Sequence, residues 1–229
     1  MSLFDGNAMT TKALLICGPL SSLLYVATTI LVAQQWDSYS SITQTISELS
    51  AIGAPTRSTW MVAGAVYTVL FIAFGYGVWR SAGHARGLRI VAGLLLAYGA
   101  LGLLWPFAPM HLRETLAAGG GTVSDTFHLV LGGVTVGLML LAMAAGATAF
   151  GTAFHRYTIV SLAILLVCGA LTFMDAPNVA ANLPTPWIGL WERINLGVFL
   201  LWVTVLASTL LRGGATAARA VTHRQAAMA

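Results

Sequence analysis

The sequence predicts an all-α, polytopic membrane protein with six transmembrane helices and a short interfacial helix in the first outer loop. Of its 229 residues, 58% are hydrophobic and only 8% are charged, and the mean hydropathy is +0.83. The apolar runs are long enough to cross a hydrocarbon core about 30 Å thick. No polar segment is long enough to bury a core of its own, so we expect one membrane domain and no soluble module.

The six predicted helices occupy residues 12–211 and are flanked by short polar ends. Residues 1–11 are expected to form a short cytoplasmic N-terminus, and residues 212–229 a basic, poorly ordered cytoplasmic tail. The first apolar run is longer than a signal-peptide core, so we interpret it as a helix that Pro19 bends. The predicted helices span residues 12–35, 56–80, 88–107, 124–150, 157–174 and 187–211.

A short amphipathic helix is predicted between the first two membrane helices. Ser41 and Gln44 have the spacing of a capping box at a helix start, and Gly53 and Pro55 supply a stop. Three apolar residues of this segment share one face at helical spacing, namely Ile42, Ile46 and Leu49. A helix of this pattern lies on the membrane surface.

The basic residues predict the orientation in the membrane, because short cytoplasmic loops retain Lys and Arg. Eight of the 11 Lys and Arg residues fall on one side of the predicted bundle, where Asp5 is the single acid. The other side holds the remaining three basic residues and six acids. We therefore expect an integral protein of the bacterial inner membrane with both termini in the cytoplasm.

The distribution of charge also bears on partners. The basic residues are spread over short loops and do not interleave with aromatic residues, so we expect membrane lipids as partners and no nucleic acid. Cys17 and Cys168 lie in apolar runs at different depths, which argues against a disulfide between them. An ion pump usually needs ionisable groups at mid-membrane depth, and the sequence offers none that are evident.

Residues 105–128 bring several ionisable residues together between two apolar runs. Asp125 and His128 share a helix face, and the flexible glycines 119–121 allow His111 to fold back over them. Two imidazoles and a carboxylate can bind zinc and leave a position for water, as hydrolytic sites do. The alternative is a structural hydrogen bond between an interfacial histidine and a carboxylate.

Glu192 and Arg193 begin the last membrane helix, where charged side chains below the membrane surface should face protein or a water-filled pocket. One interpretation is an ion-pair network that joins the helix ends across the bundle. The other is a pocket in which Arg113 or Arg193 binds an anionic headgroup through bidentate hydrogen bonds. The candidate ligand-binding residues are Arg113, Asp175, Glu192, Arg193 and Asn195.

The predicted interfacial helix also carries Ser47, Glu48 and Ser50, and it could close over the outer mouth of the bundle as a lid. Glu48 or Glu192 is the candidate general base of a hydrolase. A serine nucleophile would need a histidine base within reach, and the sequence does not place one there. Gly133 and Gly137 form a GxxxG pair, which indicates either close helix contact or loose small-residue packing.

Several of these segments resemble the bacterial and archaeal six-helix membrane family catalogued as domain of unknown function 998. The resemblance covers roughly residues 12–211. Its carriers, in chain order, are ISELSAIGAP (46–55), the Trp-Pro-Phe ending of the third helix (105–107), His128 and GLWERINLG (189–197). It implies a six-helix integral membrane protein whose characteristic residues cluster on one face, and it brings no established activity, substrate or cofactor.

These observations favour a membrane protein that binds a lipid or other amphiphile at an outward-facing polar pocket. The first alternative is a metal-dependent hydrolase of a lipid-like substrate, with His111, Asp125 and His128 as zinc ligands. The second is a structural or assembly subunit, which rests on the small-residue face of the fourth helix.

Overall fold

The computed structural model describes the backbone of residues 3–226 and the side chains of residues 9–213. Its α-helices are α1 (Leu3–Ala33), α2 (Arg57–Ser81), α3 (Arg86–Leu101), α4 (Arg113–Ala117), α5 (Val123–Gly146), α6 (Thr152–Ala180) and α7 (Ile188–Ala226). Six candidate membrane spans lie within this part of the chain. α1, α2, α5, α6 and α7 each contain one, and α3 forms the sixth together with the 3₁₀ turn that follows it, as far as Phe107. The predicted fold class is confirmed.

The six long helices form a ring in chain order. Each one packs against its neighbours in the sequence, α7 closes the ring onto α1, and the seam between α5 and α6 is the least tightly packed of these. Aromatic rings fill the centre. Phe71 and Tyr98 have centroids 4.5 Å apart, Tyr98 and Phe199 5.1 Å, and Phe199 and Trp202 6.3 Å. Large apolar side chains such as Leu23 and Val62 face outwards, as expected for a surface in contact with lipid.

Buried polar side chains join neighbouring helices inside the ring. Ser22 Oγ of α1 donates to the Leu200 carbonyl of α7 over 3.0 Å. The hydroxyls of Tyr67 and Tyr98 lie 2.9 Å apart and join α2 to α3. Such pairing is needed within a bilayer, because no water is available there to hydrogen-bond an unpaired group.

The connections at the end of the bundle opposite the start of α1 and the end of α7 form a structured layer, which we call the cap (residues 34–56, 102–122 and 181–187). It contains α4 and two 3₁₀ turns, Ser47–Ser50 and Gly102–Phe107. Ile52 N–H donates to the Met110 carbonyl over 2.7 Å and joins the first two connections. The apolar core of the cap consists of Ala51, Ala54, Met110, Val179 and Ile188. At the opposite end, the connections 82–85 and 147–151 are short.

Several helix boundaries differ from the predicted ones. α1 begins at Leu3 and α6 extends beyond both of its predicted ends, because hydropathy detects the stretch inside the membrane and misses helical turns outside it. The predicted tail, 212–229, continues α7 as far as Ala226; its last three residues and the side chains after 213 lie outside the described part. Pro19 lies within α1 without ending it.

The helix predicted in the first outer loop is present as the single 3₁₀ turn Ser47–Ser50. It is packed into the cap, since Ile46 and Leu49 are buried while Ile42 stays exposed. The GxxxG pair makes no close helix contact, because a Cβ at Gly137 would have no neighbour within 4 Å and one at Gly133 would meet only the Phe173 ring, at 3.9 Å. Both cysteines are free.

Candidate functional site

The centre of the cap is a buried ion pair between Glu48 and Arg113. Arg113 Nε donates to Glu48 Oε1 over 2.6 Å, and Arg113 Nη2 donates to Oε2 over 2.9 Å. Glu48 is 1% exposed and Arg113 9%. The carboxylate also accepts hydrogen bonds from Gln44 Nε2 at Oε1 and from the backbone and side chain of Thr45 at Oε2. Both oxygens of the Glu48 carboxylate therefore accept hydrogen bonds from residues of the cap.

The remaining Arg113 hydrogen bonds tie all three cap connections together. Nη1 donates to Thr185 Oγ1 over 2.7 Å, and Nη2 also donates to the Thr43 carbonyl over 3.0 Å. All three guanidinium nitrogens thus have partners within the protein. Four hydrogen bonds bind Arg113 into the cap, two of them to Glu48, and this gives both residues a structural role. Their expected roles in headgroup binding and proton abstraction stay predictions.

A capping box shapes the segment that leads into Ser47. Glu48 N–H donates to Thr45 Oγ1 over 3.2 Å, and Thr45 N–H donates to Glu48 Oε2 over 2.7 Å. The box therefore starts at Thr45, whereas the sequence interpretation started it at Ser41. Between these two residues, Ile46 N–H donates to Glu192 Oε2 of α7 over 2.5 Å. The two N–H groups before Ser47 are thus held by carboxylates, and the one after it is held by the Thr45 hydroxyl.

Ser47 itself contacts a histidine, which the sequence did not reveal. Ser47 Oγ lies 2.9 Å from His128 Nε2 of α5, and His128 Nδ1 lies 2.7 Å from the Ala108 carbonyl oxygen. A carbonyl can only accept, so Nδ1 carries the proton of the neutral ring and Nε2 accepts from the serine hydroxyl. The edge of the Trp105 ring packs on the imidazole, with centroids 5.0 Å apart. His128 is only 7% exposed, whereas Ser47 is half-buried.

Two cavities meet at this serine and histidine. The first, of about 330 Å³, lies between α2, the end of α3 and the cap. The second, of about 230 Å³, lies between α5, α6 and α7, beneath the loosely packed seam. Both are lined mainly by apolar side chains. The residues that border both are Ser47, Trp105, His128 and Glu192.

The predicted zinc ligands are divided between two arrangements. The His111 backbone N–H and ring Nδ1 both donate to Asp125, over 2.7 and 2.9 Å. Asp125 also caps α5 by accepting the Thr122 N–H over 2.8 Å. His128 uses its two nitrogens elsewhere, as described above. Across the described residues, no group of three or more His, Cys, Asp and Glu side chains is arranged to hold a metal ion.

Arg193 binds the cap backbone. Its Nη1 donates to carbonyls of the 41–44 loop and to that of Gly189, and its Nη2 donates to the Tyr39 hydroxyl over 2.6 Å. Burial raises the pKa of Tyr39, which keeps the phenol protonated for its own donation to the Thr45 carbonyl over 2.7 Å. Arg193 borders a third cavity, of about 640 Å³, between α1 and α7, which shares Tyr25 and Ile46 with the first.

The other predicted ligand residues are dispersed. Asn195 is buried and donates to the Leu165 carbonyl over 2.6 Å, which joins α7 to α6, although it also borders the second cavity. Asp175 accepts a hydrogen bond from Asn178 on its own helix over 3.2 Å. Of the five candidates, Glu192 alone lies on the wall that both cavities share.

Arg57 is a site residue that the sequence interpretation missed. It begins α2, lines the first cavity, and donates from Nη1 to the Ser50 carbonyl over 2.5 Å. It therefore occupies the position beside a cavity that we had expected of Arg113. The Thr-x-x-Glu spacing of residues 45–48 was a readable signal for the capping box. The Ser47 and His128 pair left no signal, because 81 residues separate them.

The family comparison agrees with this architecture. The model of the family described as "Protein of unknown function (DUF998)" matches residues 19–209, which include all six candidate spans in whole or in large part. No curated protein and no solved structure matches the chain. The segments that carried the resemblance, 46–55, 105–107 and 189–197, together with His128, all lie in or directly beneath the cap. The chain therefore belongs to the DUF998 family of multi-pass membrane proteins.

Proposed function

We propose that this protein binds a lipid or another amphiphile in the two cavities beneath the cap. The observation that carries the proposal is the meeting of two apolar cavities at one polar wall, made of Ser47, Trp105, His128 and Glu192. Ligand pockets typically combine a predominantly apolar lining with a few polar groups that fix orientation. A hydrocarbon chain fits the apolar parts, and the polar end of the same molecule fits the shared wall.

Arg57 supports an anionic or strongly polar head. It is the arginine among the residues that line the first cavity, and it begins α2 at the level of the cap. A guanidinium there can form charge-assisted hydrogen bonds with a phosphate or carboxylate. Arg113 and Arg193 suit this role less well, because most of their donors form hydrogen bonds within the cap.

The position of the second cavity supports entry from the membrane. It lies under the seam between α5 and α6, and its walls include Leu129, Val136 and Phe173. An amphiphile could enter sideways from the bilayer, so that its hydrocarbon part never passes through water. With the positive-inside distribution of Lys and Arg, we place the cap at the outer face of a bacterial inner membrane.

The test is to fill each cavity and measure bound amphiphile. Gly64 borders the first cavity, and a Cβ there would have no neighbour within 4 Å, so Gly64→Leu should occupy the space without disturbing the fold. Gly132→Leu does the same for the second cavity, where a Cβ would meet only Phe173, at 3.9 Å. Gly93→Leu and Gly137→Leu are matched controls on α3 and α5, also with open space, and neither residue borders these cavities.

Native mass spectrometry of protein purified in mild detergent would report the bound molecules. We expect a co-purified amphiphile in the wild type and both controls, and at least a tenfold lower occupancy in one of the filled variants. An Arg57→Ala variant should lose anionic lipids selectively. The proposal fails if the wild type carries no amphiphile, or if the filled variants retain it as well as the controls do.

A further inference from the structure

We infer that Ser47 and His128 are the nucleophile and general base of an esterase site, which cleaves an acyl ester bound beneath the cap. This inference deepens the proposed function and rests on it, because the cavities that would hold the amphiphile open on these two side chains. It assigns a chemical class to the ligand, namely a lipid or other amphiphile with an ester-linked acyl chain.

The hydrogen-bond directions are those that serine activation requires. His128 Nδ1–H donates to the Ala108 carbonyl over 2.7 Å, which leaves the Nε2 lone pair directed at Ser47 Oγ, 2.9 Å away. A serine hydroxyl is a weak nucleophile until an adjacent base accepts its proton, and that base must in turn be oriented by a third group. Here the third group is a backbone carbonyl, supported by the ring of Trp105 against the imidazole.

The two residues are held in place from independent elements. Ser47 stands on a 3₁₀ turn whose backbone is hydrogen-bonded on both sides. Before the serine, the carboxylates of Glu48 and Glu192 accept the N–H groups of Thr45 and Ile46. After it, Thr45 Oγ1 accepts the Glu48 N–H. His128 stands on the second turn of α5. Glu48, with its partner Arg113, is therefore a positioning residue, and its burial serves to fix the serine. Precise placement of a reactive group can contribute several orders of magnitude in rate.

Access distinguishes this pair from an ordinary structural hydrogen bond. A bond that only tied the cap to α5 could be fully enclosed, yet Ser47 is half-buried and both side chains border both cavities. An ester whose acyl chain lies in one cavity and whose alcohol part lies in the other would place its carbonyl carbon at the serine. The mainly apolar walls would hold bulk water away from the rest of the ligand.

The reaction balances with water as the co-reactant. Ser47 Oγ forms a bond to the carbonyl carbon of the ester, and its proton passes to His128 Nε2. The bond from that carbon to the alcohol oxygen breaks, and the alcohol leaves with the proton from Nε2. Water then attacks the carbonyl carbon of the acyl-serine, and His128 Nε2 takes a proton from the water. The bond between this carbon and Ser47 Oγ breaks, Oγ takes the proton back from Nε2, and the fatty acid is released.

The test uses the full chain in detergent with two readouts. The first is covalent labelling by a fluorophosphonate with an alkyl chain, located by peptide mass spectrometry. The second is hydrolysis of p-nitrophenyl butyrate, octanoate and laurate. We expect labelling at Ser47, and faster hydrolysis of the longer esters. Ser47→Ala should abolish both signals, and His128→Ala should reduce hydrolysis by a factor of about 10²–10⁴, the range for loss of a general base.

The matched control is Ser58→Ala, an exposed serine in the first turn of α2 that borders neither cavity. It should keep both signals, and Ser47→Ala should keep the circular-dichroism spectrum of the wild type, which shows that the fold persists. Absence of labelling and hydrolysis in the wild type, or their survival in Ser47→Ala, overturns the inference. If the wild type still binds an amphiphile in that case, the proposed binding function stands. Labelling at Ser47 without a bound amphiphile and without a chain-length preference would support the reactive pair of Ser47 and His128 but contradict the binding function.

Discussion

At the scale of single residues, the pair of Glu48 and Arg113 is the most consequential feature of the cap. Both charges are removed from water, and such a pair offsets the desolvation cost only when its geometry is good and the remaining donors and acceptors are satisfied. That condition is met here, since Arg113 also binds Thr185 and Thr43, and Glu48 also binds Thr45. Removal of one partner therefore leaves an uncompensated buried charge.

We predict that Arg113→Met lowers the free energy of unfolding by about 3–5 kcal/mol, the usual cost of breaking a buried pair. Glu48→Gln should also destabilise the protein, because Arg113 then keeps a charge without its counter-ion. The double variant should lose less than the sum of the two, because neither charge is left alone. Denaturant unfolding in detergent, followed by tryptophan fluorescence, measures all three.

Arg86→Met is the control, because Arg86 is exposed at the opposite end of the bundle. It should change the unfolding free energy by less than about 0.5 kcal/mol, as surface substitutions usually do. If Arg113→Met were equally neutral, or if the two single effects were strictly additive, the pair would not be the structural centre of the cap.

At the scale of elements, the start of α7 and the 41–44 loop are fitted together through a glycine. Gly189 N–H donates to the Ile42 carbonyl over 3.0 Å, and the loop passes so close that a Cβ on Gly189 would lie 2.6 Å from the Ser41 carbonyl oxygen and nearer still to that of Gln44. Both obstacles are backbone atoms, which cannot move aside as a side chain can. The glycine is therefore required by the close approach of two chain segments.

We predict that Gly189→Ala displaces the 41–44 loop and lowers the free energy of unfolding by about 1–3 kcal/mol, the typical cost of overpacking. Gly197→Ala, two turns along the same helix, is the matched control, since a Cβ there meets nothing within 4 Å. Limited proteolysis of the cap and thermal unfolding in detergent would report the difference. Equal stability of the two variants would contradict the close packing.

The elements also show which parts of the structure the sequence could predict. Long apolar runs identify membrane helices because hydropathy is a local property, so all six spans were predicted from composition alone. The 3₁₀ turn at Ser47 was harder, because its burial depends on Arg113 and Glu192, which are far away in the sequence. The pairing of the candidate site residues was not predictable, because nothing in the sequence next to a charge or hydroxyl identifies a partner that lies far away along the chain.

At the scale of the whole molecule, the ring of helices explains how a small protein can hold a site at one end. Ion pairs and backbone hydrogen bonds hold the cap together, while the seam between α5 and α6 is loosely packed above the second cavity. The rigid part therefore positions polar groups, and the loose part faces the membrane. The side of the membrane that the cap occupies decides which leaflet supplies the ligand, because the polar head of the ligand would lie at the cap.

The orientation of the protein in the membrane can be predicted from the unequal distribution of charge between its two ends. The cap end carries six of the 7 acids and three of the 11 Lys and Arg residues, and one of these three, Arg113, is neutralised by Glu48. The opposite end carries the other eight basic residues. Because basic loops stay in the cytoplasm, we expect the cap outside. In a background of Cys17→Ala and Cys168→Ala, Gly121→Cys in the exposed cap loop should react with a membrane-impermeant maleimide in intact cells.

His84→Cys, exposed in the connection between α2 and α3, is the control and should react only after the cells are opened. Both positions tolerate a side chain: a Cβ at Gly121 meets only Leu116, at 3.5 Å, and His84 already carries one. The reverse labelling pattern would place the cap in the cytoplasm. The amphiphile would then have to reach Ser47 and His128 from the inner leaflet, through the same seam between α5 and α6.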